Sequence, residues 1–158
     1  MNTARYDATS LVNVLLVDDD DTHLVLFGIA VRESKCDVRL STAADGGQAI
    51  NYLEGNGIYA DRSMHPLPDV VVLDLIMPRV DGFAFLAWLK ESPAFSMVPV
   101  MIFSGLEDKG EIERALALGA SHFLAKPHNF EGYKEGVRAV WELGIQRSGN
   151  RGISRSAA

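Results

Sequence analysis

The chain has 158 residues, enough for one compact domain and too few for two of ordinary size. Its 15 basic and 21 acidic residues leave a net charge of −6, which argues against a nucleic-acid surface, because phosphate binding needs clustered Lys and Arg. A single cysteine, Cys36, rules out an intramolecular disulfide framework, and no apolar run approaches the roughly 20 residues needed to span a bilayer. The opening MNTARYDATS has no apolar stretch behind its one Arg, so it does not read as a secretory signal. These features describe a soluble, acidic, cytoplasmic protein with neither nucleic acid nor membrane as a partner.

Residues 1–10 read as a flexible N-terminal arm. Five short apolar, β-branched runs then follow in order, at 12–17, 38–42, 70–73, 98–103 and 122–125. Between them lie stretches with helical periodicity. The first, 22–35, carries Leu24, Phe27 and Val31; the next carries Ala49, Ile50 and Leu53. Phe83, Leu86 and Leu89 mark the third, and Ile112, Ala115 and Leu116 the fourth. After the last strand, Phe130, Tyr133, Val137, Val140 and Trp141 recur every three or four residues. Strands alternating with helices predict a parallel sheet covered on both faces, and unbroken apolar strands such as VVVL fit that burial. The connection 55–68, rich in Gly and Pro, is long enough to suggest a functional or mobile loop. The domain is placed at 11–147, with 148–158 (SGNRGISRSAA) as a flexible polar tail.

In an open parallel sheet, chemistry gathers beyond the carboxyl ends of the strands. The first strand ends in Asp18 and Asp19, the third in Asp74, the fourth in Ser104 and the fifth in Lys126. Three carboxylates, a hydroxyl and an ammonium therefore converge. Crowded carboxylates repel one another unless a cation intervenes, and an oxygen-only ligand set favours a hard ion such as Mg2+. Aspartate is a competent nucleophile for phosphoryl transfer, and Lys126 and Ser104 are suited to the phosphoryl oxygens. Asp20 and Asp21 read more simply as a solvated helix start, one of them the N-cap, and Asp81 as the cap of the helix carrying Phe83. His23, His65, His122 and His128 lack ligand spacing and read as surface or packing residues. Cys36, with no nearby base, reads as inert.

At this point the motifs LLVDDDD, VVVLDLIMPRVDG, PVMIFSG and GASHFLAKP, in that order, resemble those of response-regulator receiver domains, from about Asn13 to about Gly144. The resemblance implies an α/β, flavodoxin-like (βα)5 three-layer sandwich, its parallel five-stranded sheet in order 2-1-3-4-5. It implies that Asp74 is the phosphoacceptor, with Asp19 binding Mg2+ directly, Asp18 acting through water, and the backbone carbonyl of Ile76 a further ligand. It also makes Ser104 the switch hydroxyl, Lys126 the phosphate-pairing lysine and Phe123 the rotameric aromatic. The expected protein is a switch in two-component signalling rather than an enzyme, although it assists its own phosphorylation and dephosphorylation. Its donor would be a sensor histidine kinase or a histidine phosphotransfer protein, and its output a downstream protein target. Apolar Ile76, Gly105 after the switch hydroxyl, and Phe123 without a hydroxyl depart from common patterns and bear on phosphorylation lifetime.

The long loop and the lack of an effector domain resemble the stand-alone receivers paired with phytochrome-type histidine kinases. In that group the fourth helix, fifth strand and fifth helix often form a homodimer face. Tyr133 and Trp141 would suit such a face, yet core positions on an amphipathic helix explain them better. Two rival readings stay open on sequence. Asp18 to Thr22 fits the D-x-D-x-T opening of haloacid-dehalogenase-type phosphohydrolases, but these need an acidic pair at a strand end after the lysine. Only Glu131, Glu135 and Glu142 follow, all in the final helical stretch. A pseudo-receiver acting only as a binding module is opposed by the intact set Asp18, Asp19, Asp74, Ser104 and Lys126.

Overall fold

The computed structural model describes residues 10–77 and 79–156, with side chains through 147. Strands and helices alternate as β1 (Val12–Val17), α1 (Asp21–Glu33), β2 (Val38–Ala43), α2 (Gly46–Glu54), β3 (Val70–Leu73), α3 (Gly82–Glu91), β4 (Val100–Ser104), α4 (Lys109–Ala117), β5 (His122–Ala125) and α5 (Phe130–Ser156). A 3-10 turn, Gly57–Tyr59, lies between α2 and β3. The strands pair in parallel in the order β2-β1-β3-β4-β5. This is the flavodoxin-like sandwich that the sequence resemblance implied.

Strand periodicity explains the two cores. Successive side chains leave opposite faces of a strand, so each buried strand feeds both layers. Leu15, Val17, Leu73 and Ile102 pack with Leu53, Phe85 and Leu86 from α2 and α3. Val14, Leu16, Val72 and Phe103 pack with Phe27 of α1 and with Tyr133, Val137 and Trp141 of α5. Tyr133 and Trp141 are therefore core residues, and the Trp141 indole N–H donates to the Ser10 carbonyl at 3.1 Å. Four helices start the same way. Asp20, Asp45, Asp81 and Asp108 sit at the N-caps of α1, α2, α3 and α4 and accept from the backbone N–H of Thr22, Gln48, Ala84 and Glu111.

The ends of β4 and α5 fall elsewhere than the sequence pattern suggests. β4 begins at Val100 rather than at 98, because Pro99 has no N–H for the ladder and Val98 is turned back onto Phe95. The helix α5 continues through Ser156, into the stretch read as a flexible tail. The proposed arm lies outside the described residues except for Ser10. The loop 55–68 is tied down rather than free-standing. The Arg62 guanidinium donates to the carbonyls of Tyr52 and Leu53 at 2.7 and 2.6 Å, satisfying the last turn of α2. The Tyr52 hydroxyl bonds to the Pro66 carbonyl at 2.8 Å, and the rings of Tyr52, Tyr59 and His65 stack edge to face or tilted.

α5 crosses β1 at Gly144, where an added Cβ would collide with the Val12 side chain. Val12 is fully buried and cannot move aside easily. Gly144→Ala is expected to lower the unfolding free energy by about 2 kcal/mol in urea denaturation. The penalty should shrink in a Val12→Ala background, as a double-mutant cycle would show.

Candidate functional site

The carboxyl ends of the strands hold the polar residues by extending the sheet's own hydrogen bonds one residue further. The Asp18 N–H donates to the Ala43 carbonyl at 3.0 Å, the Asp74 N–H to Val17 at 2.9 Å, and the Lys126 N–H to Ser104 at 3.0 Å. The side chains at these positions therefore converge without freedom to drift. Gly82, opening α3, keeps the next turn close: a Cβ there would strike the backbone of Asp74 and Leu75.

Asp18 is 1% exposed, Asp74 7% and Ser104 0%. Buried carboxylates need partners, and each oxygen has one. Asp74 Oδ1 accepts from the Ser104 hydroxyl at 3.0 Å and from the Ile76 N–H at 3.2 Å. Asp74 Oδ2 accepts from Lys126 Nζ at 3.1 Å. Asp18 Oδ1 accepts from the Asp20 N–H at 2.9 Å, and its Oδ2 lies 2.7 Å from Lys126 Nζ. The Leu106 N–H donates to Ser104 Oγ at 3.3 Å, fixing the hydroxyl from behind. Burial works to depress the Lys126 ammonium, but Asp18 and Asp74 outweigh it and hold the group above the ordinary lysine value.

Asp18, Asp19 and Asp74 each offer one carboxylate oxygen, and these oxygens lie within 4.8 Å of one another. Asp19 is exposed, which leaves the cluster open to solvent on one side. Three carboxylates against one ammonium leave an excess of negative charge that a small hard cation with oxygen ligands would neutralise, so the donor set fits Mg2+ or Mn2+. Asp20 lies outside this set. It caps α1, and the hydrogen bond from the Thr22 N–H keeps it below the ordinary carboxylate value.

The other anticipated residues fall as follows. Ile76 is beside the cluster, its side chain 61% exposed. Phe123 is half-buried on β5, opposite Ile102 in the register and packed against the α2–α3 core. Gly105 has open space where a Cβ would be, so sterics do not require glycine there. The reading of His23 as a surface or packing residue is corrected. Its Nδ1 lies 2.6 Å from Lys126 Nζ and 3.3 Å from Asp18 Oδ2, inside the site. The one local signal was its place three residues after the N-cap Asp20, facing back towards the strand end. Its main partner, Lys126, is 103 residues away in sequence.

The family model for the response regulator receiver domain matches residues 14–138. With that match, the fold and the acidic cluster, the chain belongs to the response-regulator receiver family, signalling switches whose known mode is phosphorylation on aspartate. Among individual relatives, it is 32% identical over 140 residues to the probable methanogenesis regulatory protein FilR2 of Methanothrix harundinacea, covering 85% of this chain and 86% of that protein. The crystal structure of the phosphorylated cyanobacterial phytochrome response regulator RcpA superposes with a TM-score of 0.76 at 26% identity, covering 86% of this chain and 95% of that one. The Mn2+-bound form of Rcp1, a response regulator known from Synechocystis sp., gives a TM-score of 0.72 at 26% identity, covering 82% and 94%. No described helix is long and apolar enough to cross a membrane.

Lys126 gives the site a pH signature. Its ammonium is stabilised in the folded chain, so its contribution is fully present below the lysine value of the unfolded chain. The contribution is lost as pH rises through the higher folded value. Lys126→Met is expected to destabilise the protein at pH 7 by on the order of 2 kcal/mol, the scale of a charge-assisted hydrogen bond. In urea titrations across pH, the gap between the parent and Lys126→Met should stay level up to about pH 10 and close above it.

Proposed function

We propose that Asp74 is the phosphoacceptor and that the chain is a cytoplasmic receiver switch fed by a sensor histidine kinase or a histidine phosphotransfer protein. One observation carries the reading. The Asp74 carboxylate sits at the end of β3 with one oxygen held by Ser104 and the Ile76 N–H and the other against Lys126, and with Asp18 and Asp19 beside it. In the proposed step a carboxylate oxygen of Asp74 attacks phosphorus. The bond from phosphorus to the donor's imidazole nitrogen breaks, the imidazole leaves with the electron pair, and an acyl phosphate remains.

Lys126 pairs with one phosphoryl oxygen, and Ser104 exchanges Asp74 Oδ1 for another. Asp18, Asp19, Asp74 and the Ile76 carbonyl would hold Mg2+, which when bound shields the incoming charge and orients the donor. Drawing Ser104 inward frees space beside β4 into which Phe123 turns, altering the face formed by α4, β5 and α5. That face is proposed to engage a downstream protein or a second copy of this chain. The likeness to RcpA and Rcp1 favours a phytochrome-type kinase upstream. The chain then acts as a switch, catalysing nothing beyond its own phosphorylation and dephosphorylation.

Incubation with Mg2+ and acetyl phosphate is expected to add one phosphoryl group to the intact mass of the parent and none to Asp74→Ala. A parent that never gains mass, with either the small donor or a cognate kinase, would support a pseudo-receiver. Mg2+ alone should raise the unfolding midpoint of the parent by mass action, and Asp19→Asn should abolish most of that shift.

A further inference from the structure

A lysine ammonium has three N–H donors and no acceptor. At Lys126 all three are taken, by Asp18 Oδ2 at 2.7 Å, Asp74 Oδ2 at 3.1 Å and His23 Nδ1 at 2.6 Å. Because the ammonium can only donate, Nδ1 of His23 is the accepting atom of this contact, and Asp18 Oδ2 lies 3.3 Å from the same nitrogen. Nε2 in turn faces Asp20 Oδ2 at 3.6 Å, on the N-cap that starts α1. His23 is thus oriented by its own helix and reaches across the crevice to β5.

The three partners differ in what phosphorylation asks of them. Asp74 becomes bonded to phosphorus, and Asp18 turns towards a cation. His23 is consumed by neither event. Without it the ammonium would have only the two carboxylates to choose between, and the flexible four-carbon stem would set its place poorly. We infer that His23 is a positioning residue for phosphoryl transfer: its Nδ1 holds the Lys126 ammonium so that the remaining donors face Asp74 and the group it receives. The inference rests on Asp74 being the phosphoacceptor.

The test uses two variants of the full chain, His23→Leu, which has no acceptor, and His23→Gln, which keeps one. The ring is 31% exposed, so neither change leaves a sealed cavity, and circular dichroism melting confirms that each variant is folded. In Mg2+ with acetyl phosphate, His23→Leu is expected to react roughly tenfold more slowly than the parent, about the effect of one lost charge-assisted hydrogen bond, with His23→Gln within about twofold. Independently of any donor or metal, the 15Nζ resonance of Lys126 should be visible in the parent and in His23→Gln, and lost to fast proton exchange in His23→Leu. Equal rates for His23→Leu and the parent, equal slowing in both variants, or an ammonium signal unchanged in His23→Leu would each overturn the proposal. Failure of every variant, parent included, to take up phosphate would instead sink the phosphoacceptor reading, while the ammonium signal would still decide the His23 contact.

Discussion

A lysine ammonium wedged between two buried carboxylates joins the ends of β1, β3 and β5 in a single ionic knot. Asp18 and Asp74 are almost fully removed from water, and such groups are costly to bury unless paired and hydrogen-bonded. Lys126 supplies the pairing, and the backbone N–H groups of Asp20 and Ile76 and the Ser104 hydroxyl complete it. The sheet makes the convergence possible. Parallel strands of the order β2-β1-β3-β4-β5 end on one edge, and the helices on both faces leave that edge as the open crevice.

The same knot explains how a small chemical event can have a large effect. The cluster has more negative charge than one ammonium can balance, so it is poised for a cation and then for a phosphoryl group. On the proposed function, a phosphoryl group on Asp74 would draw Ser104 and Lys126 to new partners. Ser104 stands at the end of β4, hydrogen-bonded through its carbonyl to the Lys126 N–H and through its hydroxyl to Asp74 and Leu106. Movement of that residue would therefore reach β5, where Phe123 is only half-buried. α4 buries Ala115 alone among its residues, so little apolar packing resists its adjustment.

Much of this was legible in the sequence, for identifiable reasons. β3 is a continuous apolar run, and β1 is broken only by Asn13, because both of their faces are covered, and the runs stop abruptly where Asp74 and Asp18 begin. Asp81 could be read as a cap because its role is local. What escaped depended on partners distant in sequence or on backbone chemistry. Pro99 shortened β4 by withholding a donor, and α5 runs on through Ser156 into the polar stretch after residue 147. The loop 55–68 read as functional or mobile from its length, and the sequence carries no sign that Arg62 caps the carbonyls of α2. His23 shows the limit most plainly. Its place three residues after an N-cap gives only a local hint, and only the fold brings it to Lys126.

The account turns on which carboxylate accepts the phosphoryl group. An acyl phosphate is cleaved by borohydride to an alcohol, so reduction of the phosphorylated chain marks the acceptor as homoserine, which peptide mass mapping can locate. The account predicts conversion at position 74 and nowhere else. Conversion at position 18 would contradict it, because Asp18 would then be the nucleophile and Lys126 and Ser104 would have to be assigned different roles.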